Sequence, residues 1–191
     1  MRQLKMLRPS APVRPRALPE GYAYCGYDRS EEQLAQWLDM SFQGQLLPEN
    51  PPEGGEYRDW FKRTVLDYAD LNPDEDIIFV TAPDGHMVAT ICAVKHGEDQ
   101  GYIHMVAAHP DSRGKGIGHA MLAYALEKLE ARGCAYSILT TDDFRLSAIK
   151  TYLDAGFRPV LWADPESDQR ARWDAVIAAL GYEPVEYFEE V

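Results

Sequence analysis

Val106-Ala107-Ala108-His109-Pro110-Asp111-Ser112-Arg113-Gly114-Lys115-Gly116-Ile117-Gly118-His119 carries an abrupt change of register. Residues 101–108 read as a strand, Pro110 to Lys115 as a loop, and from Gly116 the spacing becomes helical. Ile117, Met121 and Tyr124 fall on one line and Leu122, Leu126 and Leu129 on the next, a broad apolar stripe suited to a helix lying on a sheet. Gly133 stops it. A helix start leaves several amide N–H groups unpaired and gathers partial positive charge. Gly114, Gly116 and Gly118 let an anion approach those amides, and Arg113 and Lys115 add formal charge. The segment is suited to hold phosphate. It is neither a GxxxxGK[ST] nucleotide loop nor a GxGxxG dinucleotide fingerprint, which fails here at its third glycine.

Upstream, Asp76 to Ala82 and His86 to His96 are strands joined by the turn Pro83-Asp84-Gly85. Tyr22 to Tyr27 is a short first strand. Ser30 caps a helix bearing Leu34, Trp37, Leu38 and Phe42, and a loop from Pro48 to Gly55 precedes a second helix from about Glu56. Downstream follow a strand (Ala135 to Thr141), a helix (Leu146 to Ala155) ended by Gly156, a strand (Phe157 to Trp162) and a last helix (Gln169 to Leu180). A strand, a helix and a strand in succession imply a parallel pair, and the earlier hairpins imply antiparallel ones, so the sheet is expected to be mixed α/β (α+β).

The 191 residues suffice for one substantial core. No apolar run approaches the ~20 residues of a membrane-crossing helix. Met1 to Arg16 carries five basic residues and no acidic one, but prolines stand where a secretory signal needs an apolar run. Residues 1–20 therefore read as a loosely held basic, Pro-rich leader, 21–165 as the main domain, and 166–191 as a helix and tail packed on it. Cys25, Cys92 and Cys134 lack CxxC spacing and suit a reducing cytoplasm, with neither a disulfide framework nor a metal site expected. A net charge of −12 argues against nucleic acid and fits a cationic or neutral small substrate.

Two motifs carry a resemblance. R-x-x-G-x-G, occupied by Arg113, Gly116 and Gly118, is similar to the acetyl-coenzyme A signature of the GNAT superfamily of N-acetyltransferases. Ala148-Ile149-Lys150-Thr151-Tyr152-Leu153-Asp154-Ala155-Gly156-Phe157 is similar to that family's A-x-x-x-Y-x-x-x-G-F. The resemblance spans Tyr22 to Leu161 and implies a mostly antiparallel central sheet with helices on both faces. It also implies that the fourth and fifth strands of this reading splay apart around the cofactor's pantetheine arm, with an extra helix at the C-terminal end.

By the same resemblance, the backbone of Val106, Ala107 and Ala108 pairs with that arm as an added strand does. The amides from Gly114 through Lys115, Gly116, Ile117 and Gly118 to His119 hold the diphosphate. Tyr152 stands at the position of the acid that protonates the leaving thiolate. Relatives carry a Glu near the end of the fifth strand as base, where this chain has Thr140. Asp142, Asp143, Glu98, Asp99 and His104 are the remaining candidates, Asp142 and Glu98 foremost. Arg145 stands where many relatives have a cofactor-contacting Asn, and either a phosphate contact or a solvent-facing helix start is open to it. The helices from Ser30 to Tyr68 and their loop wall the acceptor pocket in relatives. There Trp37 and Trp60 either shape the pocket or, as is commoner for a Trp at helical spacing, belong to the core. Asp39, Glu49, Glu53, Glu56 and Asp59 either attract an amine or form a solvated acidic face. The implied activity is transfer of an acetyl group from acetyl-CoA to a primary amine of a small molecule or peptide by a monomer or homodimer. An inactive acyl-CoA-binding module is the alternative. The last helix could lid the pocket, pad the sheet or form a dimer contact.

Overall fold

A computed structural model describes residues 2–46, 57–164 and 167–189. Its strands are β1 (Leu4–Pro9), β2 (Ala23–Cys25), β3 (Ile77–Thr81), β4 (Met87–His96), β5 (Gln100–Ala108), β6 (Tyr136–Thr141), β7 (Arg158–Leu161) and β8 (Phe188–Glu189). They form one sheet in the order β2-β3-β4-β5-β6-β1-β7-β8. All neighbours are antiparallel except β5–β6 and β7–β8. The expected mixed, mostly antiparallel sheet is present, and its fourth and fifth expected strands are β5 and β6.

Helices cover both faces. On one side α1 (Glu31–Gln43) and α2 (Tyr57–Phe61), which continues as a π-helical turn over Lys62–Leu66, bury Leu34, Trp37, Met40, Phe61 and Val65 against Phe79, Cys92 and Val94. On the other, α3 (Ile117–Ala131), α4 (Leu146–Asp154) and α5 (Gln169–Leu180) pack on Leu4, Met6, Ile91, Ile103 and Leu139. Ser30 caps α1 as expected, its hydroxyl accepting from the Gln33 amide at 3.1 Å. Among the described residues no helix is long and apolar enough to cross a membrane.

One expectation is corrected. Residues 4–9 do not hang loose as a leader: they form β1, inserted between β6 and β7, with Leu4 and Met6 fully buried. The sequence hid this strand because Arg8 occupies an inward position, where its guanidinium is satisfied by the carbonyls of Ala155 and Ala11 and by Glu130. Trp37 takes the core alternative. It is 1% exposed between α1 and β4, and its indole N–H donates to the Thr90 hydroxyl at 3.3 Å. The last helix pads the sheet, with Trp173 fully buried in the main core and Arg172 paired to Asp143.

Candidate active site

The site begins with an extra residue in β5. Thr90 of β4 faces Ala107 and Cys92 faces His104, so β5 spends one more residue than its partner between those pairs. Met105 absorbs it with φ of 53°, a left-handed conformation that a side chain rarely adopts. Such a bulge bends its strand. Pairing of β5 with β6 accordingly stops at Tyr102↔Ile138, although β5 runs on to Ala108 and β6 to Thr141. Beyond Tyr102, the backbone groups of β5 that face β6 have no strand partner among the described residues. The wedge is held open from both sides, because β4 keeps β5 and β1 keeps β6 through Leu139↔Met6 and Thr140↔Lys5. At its base the Tyr102 and Thr140 hydroxyls lie 3.2 Å apart.

At the far end of β5 the glycine loop opens α3. Gly116 caps the helix with φ of 78°, and Gly114 has φ of 74°. A methyl group built on Gly114, Gly116 or Gly118 would meet no atom within 4 Å, so the space above these amides is open to an anion. Arg113 is exposed and has no ion-pair partner among the described residues. Lys115 instead turns aside and donates to the Tyr22 hydroxyl at 3.0 Å, which raises its pKa. His119, in the first turn of α3, lies 3.2 Å from the Asp154 carboxylate of α4. The loop thus presents open glycine positions at the start of α3, beside the exposed Arg113.

Two cavities flank that loop. One of about 630 Å³ lies between α1, the β3–β4 turn and Lys115, with Asp39 on its wall. The other, of about 460 Å³, lies between α3, the end of α4 and residues 8–16.

Tyr152 is 6% exposed on α4. Burial pushes its phenol above the ordinary value, and Tyr102 adds to that, while the positive charge of Arg145 pulls the other way. The group therefore remains a proton donor at neutral pH. Arg145 stands at the start of α4, where its Nε donates to Asp142 at 3.1 Å and an Nη reaches across to the Gln45 carbonyl at 2.8 Å. Gly44, at the end of α1, lies so close to β5 that a Cβ there would come within 3.0 Å of the Ala108 carbonyl oxygen. The end of α1 therefore covers the wedge on its own face, and Arg145 ties it to α4.

Among the candidate bases the geometry separates sharply. Glu98 and Asp99 occupy the exposed β4–β5 turn, at the opposite end of β5 from the glycine loop. At about 3.3 Å per residue, Glu98 stands some 20 Å along the strand from the bulge, so the fold leaves it out of the site. Asp142 is engaged by Arg145 and by the Gln3 side chain, and Asp143 by Arg172. His104 sits on β5 beside the bulge. Its Nε2 lies 2.8 Å from the Thr64 carbonyl in the π-helical turn, and its ring stacks on Tyr68 at 4.1 Å. A carbonyl only accepts, so Nε2 carries the hydrogen and Nδ1 of the neutral ring keeps its lone pair. Burial lowers the pKa of His104 below the usual imidazole value, and the nearby His96 adds to this, against the opposing bond to Thr64. The π-helical turn that aims the Thr64 carbonyl had no signature in the sequence, so His104 could not be singled out from it. Of the acidic residues expected near the acceptor, Asp39 and Asp59 are exposed on the surface, while Glu49, Glu53 and Glu56 lie outside the described residues.

A family model described as the acetyltransferase (GNAT) family matches residues 31–157. An acetyltransferase of Pectobacterium atrosepticum is 36% identical over 64 residues, covering 34% of this chain and 45% of the relative. A mycothiol acetyltransferase of Thermomonospora curvata is 23% identical over 157 residues, covering 81% of this chain and 50% of the relative. The crystal structure of a GCN5-related N-acetyltransferase from Sphaerobacter thermophilus superposes with a TM-score of 0.64 at 21% identity, over 83% of this chain and 49% of that one. The chain thus spans half or less of the length of these three proteins.

Proposed function

The chain belongs to the GNAT acetyltransferase family, and from that premise we propose that it transfers an acetyl group from acetyl-coenzyme A to a primary amine by direct attack. The observation that carries this reading is the parting of β5 from β6 after Tyr102↔Ile138, beside a helix start whose glycine amides are open. Unpaired backbone of Val106, Ala107 and Ala108 accepts the pantetheine amides as a further strand, and the loop from Gly114 to His119 takes the diphosphate. When bound, the thioester supplies an acetyl carbon activated for attack by nitrogen. A β5 amide facing the wedge stabilises the oxyanion that develops on the carbonyl.

His104 takes the proton from the incoming ammonium on Nδ1, directly or through a water. It suits that role because burial keeps it neutral and the Thr64 carbonyl fixes its tautomer. Tyr152 gives its phenolic proton to the departing thiolate, and the charge of Arg145 eases the phenolate that remains. Direct attack is favoured over an acyl-enzyme because burial raises the pKa of each cysteine thiol, Cys25, Cys92 and Cys134, leaving no activated thiolate.

The test mixes the protein with acetyl-coenzyme A and a panel of primary amines and follows release of free thiol. Amine-dependent release is expected. Failure of acetyl-coenzyme A to bind, even at low ionic strength, would sink the reading.

A further inference from the structure

The cavity of about 460 Å³ on the α4 side of the glycine loop has a wall that the β5–β6 wedge does not explain. One side is a face of α3, with His119, Ala123 and Leu126 at helical spacing. Another is the end of α4, from Asp154 to Gly156. The third is the segment that follows β1, including Pro12, Arg14 and Arg16. That segment is fixed at both ends. The Arg8 guanidinium holds the Ala11 carbonyl at 2.6 Å, the Ser10 amide donates to the Ala135 carbonyl at 2.8 Å, and Val13 and Leu18 pack on the main core. Prolines at 9, 12 and 15 stiffen it further.

Arg14 and Arg16 are exposed at this rim and have no ion-pair partner among the described residues, in a chain of net charge −12. The one carboxylate on the wall, Asp154, is spoken for by Lys150 at 2.8 Å, Tyr182 at 2.7 Å and His119 at 3.2 Å. An anion entering here therefore meets two unengaged guanidinium groups on a preorganised arm. His119 belongs both to this wall and to the first turn of α3, so the cavity adjoins the end of the glycine loop. Its volume is within the range of small-ligand pockets.

We infer that the arm formed by residues 10–16 is a binding element for the nucleotide end of the cofactor. Arg14 and Arg16 pair with the 3′-phosphate monoester of its ribose and set a preference for coenzyme A over the 3′-dephospho form. This rests on the reading of the glycine loop as the diphosphate cradle. Guanidinium–phosphate pairs are charge-assisted and bidentate, which gives each of them leverage on a terminal phosphate.

Calorimetric titration of the full chain with coenzyme A and with 3′-dephospho-coenzyme A tests it. The unaltered protein is expected to favour coenzyme A by about tenfold or more at low salt. In the Arg14→Gln, Arg16→Gln double variant the two affinities should converge, through loss of coenzyme A affinity. Equal binding of the two forms by the unaltered protein overturns the proposal, as does a preference that survives in the double variant. If neither form binds the unaltered protein, the cradle assignment falls and the role of the arm falls with it.

Discussion

At the scale of single residues, the two proposed proton duties fall on side chains whose surroundings push them in opposite directions. Tyr152 is buried and its phenol raised, so it holds its proton throughout the neutral range. Tyr152→Phe is expected to keep cofactor affinity and to lower kcat by ~10²-fold, the usual scale for a general acid. Steady-state rates beside a binding titration check this, and an unchanged kcat removes the role. His104 is lowered instead, so it remains a base at pH values where an exposed imidazole is already charged. Activity should be retained above that lowered pKa and lost as pH falls through it. The acid limb of kcat/KM is therefore expected below about 6.5, the ordinary imidazole value. His104→Asn should abolish that limb and cost ~10²-fold in kcat/KM. A limb that persists unchanged in the variant assigns it to another group. The sequence exposed Tyr152 through its motif, whereas His104 was one name among five. What distinguishes it is a carbonyl from the π-helical turn and a stacked Tyr68, contacts made across the fold by residues 40 and 36 positions away.

At the scale of elements, the glycine loop shows how a local conformation determines what a helix end can bind. Gly116 has φ of 78° and open space where a Cβ would stand, so the penalty for a side chain is conformational, not steric. Gly116→Ala is expected to cost roughly 1–2 kcal/mol of stability and to weaken coenzyme A binding as the amide turns from the anion. Chemical denaturation and titration measure the two effects. Besides their shared apolar core, α3 and α4 are joined by His119 and Asp154. Burial alone would raise the pKa of Asp154, but hydrogen bonds from Lys150, Tyr182 and His119 outweigh it and bring the carboxyl to about 2. A depressed carboxylate contributes its stability above its unfolded pKa and loses it as pH falls towards 2. The pair is part-exposed, so Asp154→Asn should cost less than about 1 kcal/mol at pH 7, and the difference should shrink between pH 4 and pH 2. Urea denaturation at several pH values follows it. These elements were legible because their periodicity and glycine stops are local. The strand, loop and helix from 101 to 131 stand within a residue or two of where spacing put them. The bulge was not legible, since Met105 at φ of 53° leaves no trace in composition and is imposed by pairing with β4.

At the scale of the whole molecule, the wedge between β5 and β6 depends on a strand that local sequence disguised. A wedge in a sheet needs each wall held from behind. β5 has β4 there, and β6 has β1, paired with it from Leu4↔Thr141 to Pro9↔Tyr136. Basic residues and prolines around Leu4-Lys5-Met6-Leu7 suggested a leader, but the inward Leu4 and Met6 are both 0% exposed. Only the completed sheet, with β6 and β7 flanking the gap, gives that segment a place. The consequence is measurable. Met6→Ala removes a fully buried side chain opposite Leu139 of β6 and should cost about 2–5 kcal/mol, where an equivalent change in a loose leader would cost nothing. Removing residues 1–9 altogether would strip β6 of its backing and leave two unpaired edges inside the sheet, a loss comparable to the whole stability of a domain this size. Met6→Ala should also weaken coenzyme A binding, although the residue lies on the far side of β6 from the ligand, because the wall it supports can then close on β5. A variant as stable as the unaltered protein, with its coenzyme A affinity intact, would show that β6 keeps its place without β1.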